Sequence, residues 1–282
     1  MRAASTIMLL RNGRTGIEVL MVRRQLKSDF VGGAYVFPGG AVDSNDSAGE
    51  ICCAGLSDRS ASAALGVDQD GLAYWVAAIR ECFEETGIML AYDPTGSLLD
   101  LTDPSRITWL REQRRRVQAG ELRFADIVRE RGLILATDRV YYWAHWITPE
   151  EQPRRYDTRF FLASAPDGQE GIHDGDEVTE SAWITPRAAI EKARTGEWIV
   201  VLPTLYNLRL LSGFNSVAEA EVAARTRRPE PAILPRLVRG VTGIRILLPG
   251  DTGYSTAVQT SAASAEEIAA GSLERIEEVR GE

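Results

Sequence analysis

Apolar residues recur at steps of three and four between Leu72 and Phe83, which predicts an amphipathic helix with one face in a core. That face consists of Leu72, Trp75, Val76, Ile79, Cys82 and Phe83. Asp70 suits an N-cap and Gly87 suits a left-handed C-terminal residue, so the helix is expected between them. The other face of the helix carries a charged cluster that begins at Arg80.

Shorter apolar runs predict strands on both sides of this helix. Ser5–Leu10 and Ile17–Arg23 are joined through Asn12-Gly13, which is a hairpin signal. Val140–Trp146 and the run Phe160–Ala163 are rich in aromatic and aliphatic residues, as strands are. A last amphipathic helix is predicted over residues 265–279. Interleaved strands and helices indicate an α/β or α+β fold.

Composition limits the classes of protein that this chain can belong to. The 282 residues are 44% hydrophobic and 26% charged, as in soluble globular proteins, and suffice for a large core. The net charge of −8, without a long basic run, argues against a nucleic-acid partner. No run reaches the ~18 apolar residues of a membrane helix, and the three cysteines form no framework of spaced pairs. The sequence therefore predicts a cytoplasmic protein with no membrane partner.

The charged face of the helix points to a metal site. Glu81, Glu84 and Glu85 lie within one helical turn, where like charges repel one another. They are also near the C-terminal end, where the helix dipole favours a cation. Clustered carboxylate oxygens suit Mg²⁺ or Mn²⁺ better than zinc or copper. The alternative is a structural helix with a solvated acidic face, which predicts no metal dependence.

The stretch Arg80–Ile88 (RECFEETGI) resembles the second half of the Nudix box, R-E-U-x-E-E-x-G-U, where U is aliphatic and Cys82 stands at one such site. Phe37–Gly40 (FPGG) resembles the first half. The pattern expects 14 positions from its glycine to its arginine, whereas Gly40 and Arg80 are 40 apart, which leaves 26 extra residues. Such an insertion is similar to that of the branch containing peroxisomal coenzyme A diphosphatases.

The insertion also obscures the first-half glutamate of the box. Asp43, Asp46 and Glu50 are open as its replacement, and none of them is expected to stand at the family distance. The chain is identified as a member of the Nudix hydrolase family over roughly residues 5–212.

The resemblance implies a fold and a domain plan. The expected fold is α/β, a Nudix-type α/β/α sandwich with a mixed curved sheet, an insertion in the Nudix loop and a C-terminal helical extension. Residues 1–225 are expected to form the hydrolase domain, with the insertion at about 43–70. Residues 226–282 are expected to pack as an extension on the same domain or on a partner subunit. A homodimer is left open.

The resemblance also implies the residues of the site. The metal ligands, for Mg²⁺ or Mn²⁺, would be the Gly39 carbonyl, Glu81, Glu84 and Glu85. Arg80 would hold a glutamate in place, as in the family, and Glu81 or an acid of a later loop would be the base. Glu177 is the first choice for that loop acid and Glu180 the second, with exposed loop acids as the alternative.

The substrate implied is a small molecule with a diphosphate bridge, cut by water attack. The run that ends at Arg23 is similar to the upstream signature of coenzyme A-cleaving members, which favours coenzyme A or acyl-coenzyme A. Their products would be a phosphopantetheine and adenosine 3′,5′-bisphosphate. Arg154 and Arg155 either contact phosphates or form an exposed basic turn. ADP-ribose and nucleotide sugars are the alternative substrates, and a non-catalytic ligand sensor on the same fold is the alternative class.

Overall fold

The computed structural model describes residues 1–25, 32–47, 49, 51–101, 103–169, 178–227, 230–241, 243–260 and 263–278. Its strands are β1 (Arg2–Asn12), β2 (Ile17–Arg24), β3 (Tyr35–Val36), β4 (Gly39–Ala41), β5 (Ala91–Tyr92), β6 (Ile134–Leu135), β7 (Tyr141–Ile147), β8 (Tyr156–Ser164), β9 (Val178–Ile184), β10 (Arg236–Arg239) and β11 (Ile244–Leu247). Its helices are α1 (Asp58–Leu65), α2 (Leu72–Thr86), α3 (Pro104–Gln118), α4 (Phe124–Glu130), α5 (Pro186–Arg194), α6 (Leu202–Leu211), α7 (Val217–Thr226) and α8 (Ala265–Glu278). Across these residues every helix is too short or too polar to span a bilayer.

The central sheet is mixed and is organised around β1. The order is β3-β2-β1-β8-β7, with β4 also pairing with β1 and β9 with β2. β1 runs parallel to β8 and antiparallel to both β2 and β4. It pairs with β4 near its start, through Ala4–Thr6, and with β2 near its end, through Leu10–Asn12. The short strand β4 is therefore held at the middle of the sheet, facing the helix that carries the acidic cluster.

Both faces of the sheet are buried, which explains the continuous apolar run of β1. Ile7 and Leu9 belong to a first core beneath α2, whereas Met8 and Leu10 belong to a second core beneath α6. Successive strand residues point to opposite faces, so each face receives every second side chain. Helices thus cover the sheet on both sides, which confirms the predicted α/β/α sandwich.

The predicted amphipathic helix is α2, and one of its two predicted caps is correct. Gly87 follows the helix with φ of 76°, and its amide donates to the Phe83 carbonyl at 2.8 Å. The prediction for Asp70 was wrong, because the N-cap position is Gly71, which has no side-chain cap bond. Asp58, in α1, accepts instead a hydrogen bond from the Leu72 amide at 3.0 Å. The inserted helix thus supports the start of α2.

The C-terminal segment, residues 230–278 without the gaps given above, packs into the second core. Ile233 bridges to Trp146, with its amide donating to the His145 carbonyl at 2.9 Å. β10 and β11 form an antiparallel hairpin, and Ile244 and Ile276 join the second core. The predicted last helix is present as α8 and contacts α6 through a hydrogen bond from Arg209 to the Ile276 carbonyl.

Candidate active site

Two glycines let β4 approach both its neighbouring strand and α2. A Cβ atom on Gly39 would lie 2.4 Å from the Ser5 carbonyl oxygen, and one on Gly40 would lie 2.5 Å from Glu81 Oε1. A side chain at position 39 would clash with fixed backbone, whereas one at position 40 would force the carboxylate of Glu81 to move. The Phe-Pro-Gly-Gly turn is therefore built to bring backbone atoms against the acidic cluster.

The exposed backbone edge of β4 faces α2. Gly39 and Ala41 pair with Thr6 and Ala4 across the antiparallel ladder. The Gly39 amide donates to Glu85 Oε2 at 3.0 Å, and the Ala41 carbonyl accepts from Arg80 Nη2 at 2.8 Å. Since the amide and carbonyl of one strand residue point the same way, the Gly39 carbonyl also points away from β1. It therefore lies on the same edge as the carboxylates.

Arg80 is the centre of a buried ion-pair network. Its Nε and Nη2 atoms donate to the two carboxylate oxygens of Asp46 at 2.8 and 3.0 Å. Its Nη1 atom donates to Glu81 Oε1 at 2.8 Å and to Glu84 Oε2 at 3.3 Å. Burial opposes the charge of the guanidinium, but these carboxylates more than offset it and raise the pKa of Arg80 above its ordinary value. Arg80 therefore fixes three carboxylates at once.

Asp46 is the candidate for the first-half glutamate that the structure places against Arg80, while Glu50 lies outside the described residues. It is almost fully buried, forms a two-pronged pair with Arg80, and also accepts from the Asp43 amide at 2.7 Å. The expectation that none of the three acids stands at the family distance was wrong. Asp46 follows Gly40 by six positions, which is the glycine-to-glutamate spacing of the pattern. All 26 extra residues consequently lie between Asp46 and Arg80.

Glu84 is held by its backbone as well as by its side chain. Burial raises the pKa of its carboxyl to about 7; Arg80 opposes this rise and Glu81 adds to it. Its backbone carbonyl accepts from Arg114 Nε at 2.8 Å and from Gln118 Nε2 at 2.7 Å, both on α3. Helix α3 thus clamps the end of α2 from which the acidic cluster projects.

A cavity of about 580 Å³ opens beside this cluster. Glu81, Glu85, Gly39 and Gly40 line one part of it. Another part is lined by apolar residues of several elements, among them Val36, Phe37, Trp146, Phe160, Leu202, Leu237, Ile246 and Ile268. The volume and the mixture of charged, polar and apolar lining residues are typical of small-molecule sites.

The cavity contains arginines other than the predicted ones. Arg2 and Arg24 line it, and neither guanidinium makes an ion pair within the part of the chain that the structure describes. Arg23 points elsewhere: its Nη1 atom is 3.8 Å from Glu180 Oε2, and it lies over the Tyr35 ring. The pairing of β2 with β9 shifts its register between Arg23 and Arg24, and only Arg24 lines the cavity.

Among the described residues, Arg154, Arg155 and Glu180 do not line the cavity. Arg154 is exposed, and Arg155 donates from Nε to the Thr148 carbonyl at 3.3 Å, beside the cavity but not lining it. Glu180 accepts from the Tyr35 hydroxyl at 2.7 Å and is likewise absent from the lining. Glu177 lies outside the described residues.

Several oxygen donors of the cavity are of the kind that a divalent metal ion prefers. Glu81, Glu85 and the Gly39 carbonyl supply hard oxygen atoms on one side of it, as Mg²⁺ and Mn²⁺ prefer. Within the described ranges no three Asp, Glu, His or Cys side chains converge into a preformed cage. Arg80 donates hydrogen bonds to both Glu81 and Glu84. The residues fit such an ion by chemistry.

The sandwich fold, the RE-x-x-EE-x-G helix and the glycine turn define a Nudix hydrolase. The family model described as NUDT19 Nudix domain matches residues 56–211, more than half of the chain, and the chain belongs to this family. It is therefore a Nudix pyrophosphohydrolase similar to coenzyme A diphosphatases, from a family whose members generally use divalent metal ions. The match begins after Gly39, Gly40 and Asp46, which belong to the site by geometry alone.

Individual relatives agree with the family. The chain is 27% identical to acyl-coenzyme A diphosphatase NUDT19 of Xenopus laevis, over 86% of this chain and 73% of that protein. It is 28% identical to the protein of the same name from Gallus gallus, over 86% and 74%. Among solved structures, a NUDIX hydrolase from Alicyclobacillus acidocaldarius superposes with a TM-score of 0.62 at 28% identity, covering 82% of this chain and 98% of that one.

Proposed function

We propose that this chain hydrolyses the diphosphate bridge of coenzyme A or acyl-coenzyme A with Mg²⁺ or Mn²⁺. The observation that carries the proposal is a single cavity with carboxylates in one part and an extended apolar wall in another. A substrate with a charged diphosphate and a long arm matches such a cavity. Similarity to acyl-coenzyme A diphosphatases supports the same substrate class.

Glu81, Glu84, Glu85 and the Gly39 carbonyl would hold the metal. When bound, such an ion neutralises phosphate charge and lowers the pKa of a coordinated water. Glu85 is positioned for this role by the Gly39 amide, and Glu81 by Arg80. Glu84 is held on Arg80 in the described arrangement and would join the set by turning from Nη1.

Proton transfer and substrate binding are assigned to the remaining groups. Glu81 lines the cavity and is our choice for the base that accepts the proton of the attacking water; Glu177 is the second choice. Arg24 and Arg2 would bind phosphate oxygens, since guanidinium groups donate in a fork that matches them. Asp46 and Arg80 act as positioning residues.

The test is hydrolysis of a panel of coenzyme A, octanoyl-coenzyme A, ADP-ribose and a nucleotide sugar, with EDTA, Mg²⁺ or Mn²⁺. Release of adenosine 3′,5′-bisphosphate from the first two compounds, only with metal, is the expected result. Glu84→Gln is expected to lower kcat by at least about 10²-fold with an unchanged unfolding midpoint, because it removes a metal-binding charge. Glu112→Gln is the matched control and should retain activity, because the side chain of Glu112 is exposed on α3.

Two results would contradict the proposal. Metal-dependent cleavage of ADP-ribose or the nucleotide sugar without cleavage of coenzyme A would show that the proposed substrate is wrong. Full activity of Glu84→Gln would show that the acidic cluster does not take part in the reaction as proposed.

A further inference from the structure

The C-terminal segment contributes a wall of the candidate active-site cavity. Leu237 and Ile246, on the two strands of the β10–β11 hairpin, and Ile268, on α8, all line it. Leu237 and Ile246 are almost fully buried, and Ile268 is half-buried. These residues lie in or pack against the second core, whereas Glu81 and Glu85 project from the helix over the first. The cavity therefore joins the two sides of the sheet.

Hydrogen bonds as well as apolar contacts hold the C-terminal segment in place. Ile233 exchanges backbone hydrogen bonds with β7, donating to the His145 carbonyl and accepting from the Ile147 amide, each at 2.9 Å. Arg275, on α8, donates from Nη2 to Asp251 Oδ1 at 2.8 Å, behind the hairpin. The wall is thus preorganised, and a ligand that contacts it need not order it.

Two residues of the cavity lining carry buried polar atoms without hydrogen-bond partners among the described residues. Gln152, in the loop between β7 and β8, lines the cavity, and its Nε2 atom has no hydrogen-bond partner among the described residues. The indole Nε1 atom of Trp146, another lining residue, also lacks one there. Both atoms are themselves buried, so the surface that this cavity offers to a ligand here is that of Leu237, Ile246 and Ile268. An apolar surface of this kind suits a hydrocarbon chain, because burying that chain removes apolar area from water.

We infer that the C-terminal segment, through Leu237, Ile246 and Ile268, binds the acyl-thioester arm of the substrate and sets the preference for arm length. The inference rests on the proposed function, since it assigns a place to one end of that substrate. The diphosphate would lie by Glu81 and Glu85, and the arm would run along the hairpin and α8. The C-terminal extension then acts as a specificity element of the active site.

The test compares two half-buried aliphatic residues of one helix. Ile268 and Leu273 both lie on α8 and pack against the second core, but only Ile268 lines the cavity. Ile268→Asn is expected to lower the ratio of kcat/KM for octanoyl-coenzyme A over coenzyme A by about tenfold, the effect of about two lost methylene contacts. Leu273→Asn should keep the wild-type ratio.

A second pair of variants fills the space rather than making it polar. Ile268→Trp is expected to lower kcat/KM for octanoyl-coenzyme A more than for butyryl-coenzyme A, whereas Leu273→Trp should lower neither selectively. Dissociation constants of coenzyme A and octanoyl-coenzyme A are measured by calorimetry in EDTA, where chemistry does not proceed. The affinity ratio should fall about tenfold in both Ile268 variants.

Equal ratios in the Ile268 variants, the Leu273 variants and the wild-type protein would overturn the inference. Failure of the wild-type protein to cleave either compound with metal would refute the proposed function instead. In that case the ratio of the dissociation constants of coenzyme A and octanoyl-coenzyme A in EDTA still tests the inference. Equal ratios in the Ile268 variants, the Leu273 variants and the wild-type protein would overturn it.

Discussion

Asp46→Asn tests whether the buried partner of Arg80 holds the site together. The substitution keeps the shape of the side chain and removes its charge. Asp46 is 1% exposed and receives two hydrogen bonds from Arg80 and one from the Asp43 amide. In the variant an amide NH₂ faces the guanidinium, so at least one of these bonds is lost and the buried cation loses its closest counter-charge.

The expected loss of stability depends on the partners that Arg80 keeps in the variant. Removing one partner of a buried ion pair typically costs about 3–5 kcal/mol. Arg80 keeps Glu81, Glu84 and the Ala41 carbonyl, and its side chain is 12% exposed, so the lower end applies. We expect the free energy of unfolding to fall by about 3 kcal/mol, which corresponds to a drop of about 6–12 °C in Tm.

Urea unfolding followed by tryptophan fluorescence measures this loss. Asp43→Asn is the matched control, because Asp43 is an exposed N-cap of the same turn and asparagine caps about as well. It should change the free energy of unfolding by less than about 0.5 kcal/mol. If Asp46→Asn costs no more than the control, Arg80 is held by the helix carboxylates alone, and Asp46 does not replace the first-half glutamate.

Two further predictions concern the cavity. Gly40→Ala should lower kcat/KM by about 10²-fold, because its Cβ would displace Glu81 and small displacements of catalytic groups are costly. Gly49→Ala is the control, because Gly49 is exposed and has open space around it. Equal effects of the two substitutions would contradict the close approach of Gly40 to Glu81. Arg24→Ala should raise KM by about tenfold through loss of a charged phosphate contact, and Arg23→Ala should change KM little. KM is measured by steady-state kinetics. A larger effect of Arg23→Ala than of Arg24→Ala would place the substrate on the other face of β2.

The central helix and its chemistry could be predicted from the sequence because they are local. The period of the apolar face, the glycine that ends α2 and the acidic cluster all lie within one continuous stretch. A strand at Ser5–Leu10 was also predicted from its apolar run, although its division between two cores was seen only in the structure. The N-terminal cap of α2 was not, since Asp58 reaches it from the preceding helix, 14 positions away.

Asp46 shows how an insertion misleads when a motif is measured across its whole length. The distance from Gly40 to Arg80 is far longer than the pattern, and this obscured the six-position spacing from Gly40 to Asp46. A surface insertion changes the chain between two anchor points without moving the anchors. Each half of such a motif therefore has to be measured on its own, and the first half then predicts the acid that pairs with Arg80.

The substrate side of the site needed the structure because it is assembled from both ends of the chain. Arg2 begins β1, Arg24 ends β2, and the apolar wall comes from the hairpin and α8. Sequence similarity favoured Arg23 over its neighbour, but the face that an arginine takes depends on strand register at a point where both faces are covered. The carboxylates need only one helix and one turn to come together, whereas the shape of the cavity depends on where residues 230–278 pack. In this fold the catalytic groups can therefore be predicted from short stretches of sequence, whereas substrate specificity depends on contacts between residues that are distant in sequence.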